Sequence, residues 1–152
     1  GPLNITGEAQ TTWMQRDNFS PGTGADTFFH GAYVQAGYFL TGEHIPYSRT
    51  SGTIGRVKPF ENFFLVDKCC GGTGGGWGAW QVAARLDYLD LSSQDIRGGR
   101  QYDATAAINW HWTSHSKVQF NVIYGDIDEH APVGGQTNGH FLIVGTRFAC
   151  EF

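Results

Sequence analysis

The sequence predicts an all-β chain, an antiparallel sheet with the alternation of a transmembrane β-barrel. Three observations carry that expectation. Side chains alternate with a period of two along nearly the whole chain. The apolar half of each alternating run holds no charged residue. The runs last about ten residues, the length a strand needs to cross a bilayer at a tilt. Composition agrees, because 22 glycines and 14% aromatic residues suit strands and turns better than helices. A chain of 152 residues makes one domain, 1–152.

The first run, "EAQTTWMQRD", is the weakest. The second, "GAYVQAGYFLTG", sets Ala32, Val34, Ala36, Tyr38 and Leu40 against Tyr33, Gln35, Gly37, Phe39 and Thr41. A long connection, 42–78, follows; it carries Arg49, Arg56, Lys58 and Lys68 and the apolar piece "FFLVD". The third run sets Trp80, Val82, Ala84, Leu86 and Tyr88 against Gln81, Ala83, Arg85, Asp87 and Leu89. The fourth sets Ala104, Ala106, Ile108, Trp110 and Trp112 against Thr105, Ala107, Asn109 and His111. In the fifth, Val118, Phe120, Val122 and Tyr124 oppose Lys117, Gln119, Asn121 and Ile123. The last sets Leu142, Val144, Thr146, Phe148, Cys150 and Phe152 against Ile143, Gly145, Arg147, Ala149 and Glu151.

Two architectures fit such alternation. In a soluble ligand-binding β-barrel the apolar set turns inward onto a core. In an outer-membrane barrel it turns outward onto lipid, and the mixed set lines a lumen. Strand length favours the second, and two further details do too. Aromatics stand near run ends, where interfacial girdles lie: Trp80, Tyr88, Trp110, Trp112, Tyr124, Phe148 and Phe152. Connections are unequal, with "TSHS" short and "LSSQDIRGG" and "IDEHAPVGGQTNG" long and polar. On this reading the pore-lining candidates are Gln35, Gln81, Arg85, Asp87, Asn109, His111, Asn121 and Arg147. Arg85 and Asp87, two apart on one face, point to mutual charge pairing across neighbouring strands. The closing "IVGTRFACEF" resembles the terminal signal read by the barrel-insertion machinery.

Charge and chemistry exclude other classes. A net charge of −4 attracts neither nucleic acid nor an acidic membrane surface. No run of about 18 apolar residues supplies a transmembrane helix. The opening "GPLNITGEAQ" has neither a basic n-region nor an apolar h-region, so no signal peptide is expected there. His30, His44, His111, His115, His130 and His140 show no metal-ligand spacing, and "GGTGGGWG" leads into a strand as a flexible hinge, without phosphate-loop spacing. Asp126, Asp128 and Glu129 read as a solvated acidic turn. Cys69 or Cys70 pairing with Cys150 stays open. No nucleophilic triad is indicated by spacing, so no enzyme, cofactor or metal site is expected.

The stretches "GAYVQAGYFLTGEHIPYSR", "GTIGRVKPFENF", "GWGAWQVAARLDYLDLSSQDIRGGRQYDATAAINWHWT" and "VQFNVIYGDID" resemble the C-terminal part of the phosphate-selective porin O and P family. The resemblance implies a sixteen-stranded outer-membrane porin of a bacterial cell, usually a homotrimer, that conducts small solutes including phosphate-like anions. About six strands cannot wrap a water-filled pore, since the smallest membrane barrels use about 8, so the chain reads as the C-terminal strands of such a barrel. With a periplasmic C-terminus, the connection 42–78 starts on the periplasmic side. It is expected to fold into the lumen as a constriction bearing Arg49, Arg56 and Lys58, or else to lie as a partly ordered periplasmic loop. Phosphate selectivity needs a row of unopposed arginines or lysines, and none is evident here. A passive channel for small solutes is the expectation, with a soluble ligand-binding barrel or a structural barrel component as alternatives.

Overall fold

The computed structural model describes residues 1–17, 26–67 and 69–151. Among the described residues ten strands form: β1 (Leu3–Met14), β2 (Thr27–Phe39), β3 (Tyr47–Ser48), β4 (Thr53–Ile54), β5 (Val66–Asp67), β6 (Thr73–Gly74), β7 (Ala79–Ser93), β8 (Ile96–His111), β9 (Ser116–His130) and β10 (Gly139–Cys150). The six long strands make one antiparallel sheet in the order β1-β2-β7-β8-β9-β10. Each pairs with its neighbour in sequence, apart from the two small ribbons β3-β4 and β5-β6 set into the connection between β2 and β7. The sheet is open, with β1 and β10 as its edges. Among the described residues no helix is long and apolar enough to cross a membrane.

Register keeps the apolar face continuous. Ala36 pairs with Ala84, Ala84 with Ala106, Ala106 with Val122, and Val122 with Val144. One row across five strands is therefore apolar throughout. Ile5 extends it onto β1, opposite Ala36. A slip of one residue would send every side chain to the other face, so this agreement across five pairings fixes the alignment.

The faces reverse the usual rule of burial. Along β2, Ala32, Val34, Ala36 and Tyr38 are exposed, while Tyr33, Gln35, Gly37 and Phe39 are buried or half-buried. Ala84, Ile108 and Val144 lie open, with Leu86 60% exposed. Of the buried residues, Phe39, Glu43, Ala79, Gln81, Asn109 and Ser116 sit toward the end of the sheet that carries the connection, and Thr27 and Asp90 toward the other end.

Four details differ from the sequence expectation. Asp126, Asp128 and Glu129, read as a turn, lie within β9. β1 spans Leu3–Met14 instead of beginning at Glu8. "LSSQDIRGG" is mostly strand: β7 and β8 continue to the pair Ser93–Ile96 and turn through Gln94 and Asp95 alone, with a bulge between Asp90 and Ser92. Past the aromatic belt a strand loses its apolar side chains but keeps its ladder, so composition there mimics a loop. The stretch expected to be a hinge is tied down, since Thr73 and Gly74 form β6 and Gly76 donates its N–H to Asn62 at 2.9 Å. Cys69, Cys70 and Cys150 are free thiols, all exposed.

Candidate functional site

The polar face carries hollows and is hydrogen-bonded to itself. Gln119 donates from Nε2 to Asn109 Oδ1 at 2.9 Å; Asn109 donates from Nδ2 to Gln81 Oε1 at 2.9 Å; Gln81 donates from Nε2 to Asn4 Oδ1 at 3.2 Å. This amide ladder runs from β9 to β1 and skips β2, where Gly37 stands. A Cβ at Gly37 would meet Asn4 Oδ1 at 2.6 Å and Gln81 Nε2 at 2.8 Å, so the absent side chain lets the rungs join. Arg147 pairs in register with Gln119 and continues the row onto β10. Gln35 and Asn121 line a hollow of about 270 Å³ above it, with Arg85 and Thr105.

Charge on this face separates along the strands. At the end carrying the β7–β8 turn stand Glu8, Asp87 and Asp103 with Arg85, around a hollow of about 470 Å³. Arg85 grips Asp87 by a bidentate contact (Nε to both carboxylate oxygens at 2.8 Å) and lies 3.8 Å over the Tyr33 ring. The pairing thus runs along one strand, whereas cross-strand pairing was expected. The two side chains lie on one face of an extended strand, within mutual reach. At the opposite end Arg56, His111, His115 and Lys117 line a hollow of about 540 Å³ with Glu151. Lys117 and Arg147 have no carboxylate partner among the described residues.

The connection 42–78 divides at the rim of the sheet into two lobes. The first is closed at its base by Glu43, whose carboxylate accepts from the Phe60 N–H at 3.1 Å and from the Thr41 hydroxyl. Ile45, Ile54 and Arg56 from this lobe lie over Gln81, Asn109 and His111, and Arg56 Nε pairs with Glu151 at 2.9 Å. Arg49 and Lys58 are exposed and line none of the three polar-face hollows described above. Lys68 lies outside the described residues. The second lobe crosses to the apolar face. Phe63 donates its N–H to the Trp112 carbonyl at 2.8 Å and sets its ring 4.6 Å from that of Trp110. The return to β7 passes through Gly78 at φ 66°, where a Cβ would stand 2.4 Å from the His111 carbonyl oxygen.

The expected aromatic positions fall into two belts on the apolar face. Trp80 stacks on Trp110 at 4.8 Å, and Trp112 contacts Phe148 at 5.5 Å. Tyr88 lies 5.0 Å from Tyr102, with Tyr124 on the next strand but one from Tyr88. Trp80 and Tyr88 are separated by roughly 27 Å along the strand at about 3.4 Å per residue. A tilt of about 40° brings this near the height of an apolar barrel band. Phe152 lies outside the described residues. Sequence reasoning missed Asn4 and Glu8 on β1, Tyr102 in the upper belt, and Glu43. The alternation of Leu3, Ile5, Gly7, Ala9, Thr11 and Trp13 against Asn4, Thr6, Glu8, Gln10 and Thr12 is the signal for the first two. Among the described residues no group of three His, Cys, Asp or Glu side chains gathers as a metal site.

Beyond the apolar belts the connections of the opposite end are tethered to each other. Arg16, after β1, forms a bidentate pair with Asp95 in the β7–β8 turn, one contact being Nη1 to Oδ2 at 3.0 Å. This hydrogen-bonded guanidinium holds the Asp95 carboxyl below the usual carboxylate range.

The family model of the phosphate-selective porins O and P matches residues 1–152. A protein of Caulobacter vibrioides (strain ATCC 19089 / CIP 103742 / CB 15), described as an uncharacterized protein, is 34% identical over 149 residues, covering 96% of this chain and 27% of its own length. The chain thus spans about a quarter of the curated relative it matches. No solved structure matches. With its open antiparallel sheet, its continuous apolar face and a family match from end to end, the chain belongs to the phosphate-selective porin O and P family.

Proposed function

We propose that this chain is a section of the wall of a bacterial outer-membrane porin, with its apolar face on lipid and its polar face on a water-filled passage for small solutes. One observation carries the reading: the exposed face is apolar and uncharged between two aromatic belts, while the shielded face is the polar one. Water on both faces would favour the reverse, because burial of the apolar set drives folding in water. Lipid on one side and a wet lumen on the other supports the arrangement found here.

Gln35, Gln81, Arg85, Asp87, Asn109, His111, Asn121 and Arg147 face the passage in this proposal. The first lobe of the connection narrows it, with Arg56 as the residue placed against the wall. Selectivity in such a pore follows from lumen charge and width. Arg85 is neutralised by Asp87, so anion preference rests on Lys117 and Arg147 at one end, opposed by Glu8 and Asp103 at the other. The wall therefore fits a passage for small solutes of either sign, phosphate-like anions included, better than an anion filter built on a row of arginines. Assembly as a homotrimer and delivery by the barrel-insertion machinery belong to the same proposal.

Single-channel recording in planar bilayers tests it. The complete polypeptide is expected to give steady ohmic steps, and deletion of Ser48 to Lys58 to raise the step size. No current from properly inserted protein would overturn the channel in favour of a structural barrel. Steps of unchanged size after the deletion would overturn the constriction.

A further inference from the structure

We infer that the second lobe of the connection, 60–77, is a collar that inserts into the glycerophospholipid leaflet bordering its end of the barrel. The inference rests on the proposed lipid contact of the apolar face and extends it to a segment outside the strands. Phe63 is hydrogen-bonded and ring-packed onto Trp110 and Trp112, so the lobe lies on the lipid side of the rim instead of hanging from it. Its most exposed apolar side chains are Phe60, Leu65 and Trp77, at 72%, 70% and 79%, beside exposed Phe63 and Phe64. The charged side chains within 60–77 are Glu61, Asp67 and Lys68, and none of them lies between Asn62 and Val66.

Two further features suit a place out of water. The indole N–H groups of Trp80 and Trp110 both donate to the Trp77 carbonyl, at 3.1 and 2.9 Å. Indoles at a barrel rim ordinarily turn their N–H toward water and headgroups. Here the polar handles are satisfied inside the protein, which leaves the rings free to sit deeper. Leu65 holds φ 56°, a backbone state that a bulky residue adopts only under constraint. A glycine or asparagine would relieve it, yet the position, just before β5, carries a fully apolar side chain. Continuity with the Trp80–Trp110–Trp112–Phe148 belt makes the bilayer the surface this collar meets.

Nitroxide scanning tests the collar. The complete polypeptide, with Cys69, Cys70 and Cys150 replaced by serine, is labelled singly at Leu65→Cys, Leu86→Cys or Ser51→Cys and reconstituted in phosphatidylethanolamine–phosphatidylglycerol vesicles. Leu86 is the mid-face reference and Ser51 the aqueous one. Collisions with oxygen at Leu65 are expected to exceed those with a water-soluble nickel chelate several-fold, at a depth shallower than Leu86. A label at Leu65 that behaves as at Ser51, with Leu86 still deep, overturns the collar alone. Exclusion of both quenchers at Leu65 overturns it in favour of contact with a neighbouring subunit. Access of the nickel chelate to Leu86 overturns the lipid-facing reading itself.

Discussion

The two faces of the sheet come from the same six strands and follow opposite rules. On the apolar face no hydrogen bond links side chains between the belts; Val82, Ala84, Leu86, Ala104, Ala106 and Ile108 simply cover area. On the polar face the side chains complete one another: four amides form a ladder, Arg85 grips Asp87, and Gln101 donates to Asp103 at 2.6 Å. A surface that meets a solvent without hydrogen-bonding groups has no use for donors. A surface that meets water at close quarters needs its polar groups held in place, or they would collapse into the opening. The two faces are built for different solvents.

The largest effect is expected mid-way between the belts. Val122 lies opposite Ala106, which is equidistant in sequence from Trp110 and Tyr102. Val122→Arg places a charge in hydrocarbon and is expected to cost about 2–4 kcal/mol of folding stability in vesicles. Asn121→Arg, one residue away on the other face, is expected to stay within about 0.5 kcal/mol, as a change at a wet position does, and to shift ion preference instead. Guanidinium unfolding of the vesicle-bound protein measures both. Equal costs would mean that both faces see the same solvent and would overturn the lipid-facing assignment of Val122.

A smaller effect is expected at Gly37, and its sign is the informative part. Glycine inside a strand is normally worse than alanine by about 0.5–1 kcal/mol. At Gly37 the added Cβ would push Asn4 and Gln81 apart and leave a buried amide N–H unpaired, at a cost of about 1–3 kcal/mol. Gly37→Ala is therefore expected to destabilise by about 1 kcal/mol. In an Asn4→Ala background the same change is expected to stabilise, because the ladder no longer crosses β2. A double-mutant cycle by guanidinium unfolding reads the reversal. Additive effects would show the ladder to be decorative.

How much of this was legible in the sequence follows from the same contrast. The apolar face is written in period two because lipid demands hydrocarbon at every outward position, so β2, β7, β8, β9 and β10 could be placed from alternation alone. β1 was faint because Gly7 and Thr11 dilute its outward set. Strand ends beyond the belts, such as Leu91–Gly99, leave no such trace, since water accepts any side chain there. The candidate polar positions could be assigned to a face, but not to partners. Which rung meets which depends on register and on Gly37. The fold of the connection was the least legible part. Its two lobes are set by single contacts, Glu43 with the Phe60 N–H, Arg56 with Glu151 and Phe63 with Trp112, between residues far apart in sequence or with no periodic mark.

The smallest effect is expected outside both faces, at the tether between Arg16 and Asp95. Asp95 titrates below its ordinary value because the Arg16 guanidinium hydrogen-bonds its charged form. A carboxylate with a depressed folded-state pKa contributes stability above its unfolded value of about 3.9, and loses that contribution as pH falls through the folded value. The tether is thus intact at neutral pH and is released only in stronger acid than an ordinary aspartate requires. Since Asp95 is half exposed, salt screens the pair and the effect on global stability is small. Infrared difference titration against Asp95→Asn isolates this carboxyl, and its midpoint is expected below the ordinary aspartate value, moving up toward it in Arg16→Gln. An unshifted midpoint in the native chain would detach the β1–β2 connection from the β7–β8 turn. The two faces would still stand as described, because neither belt nor ladder depends on that contact.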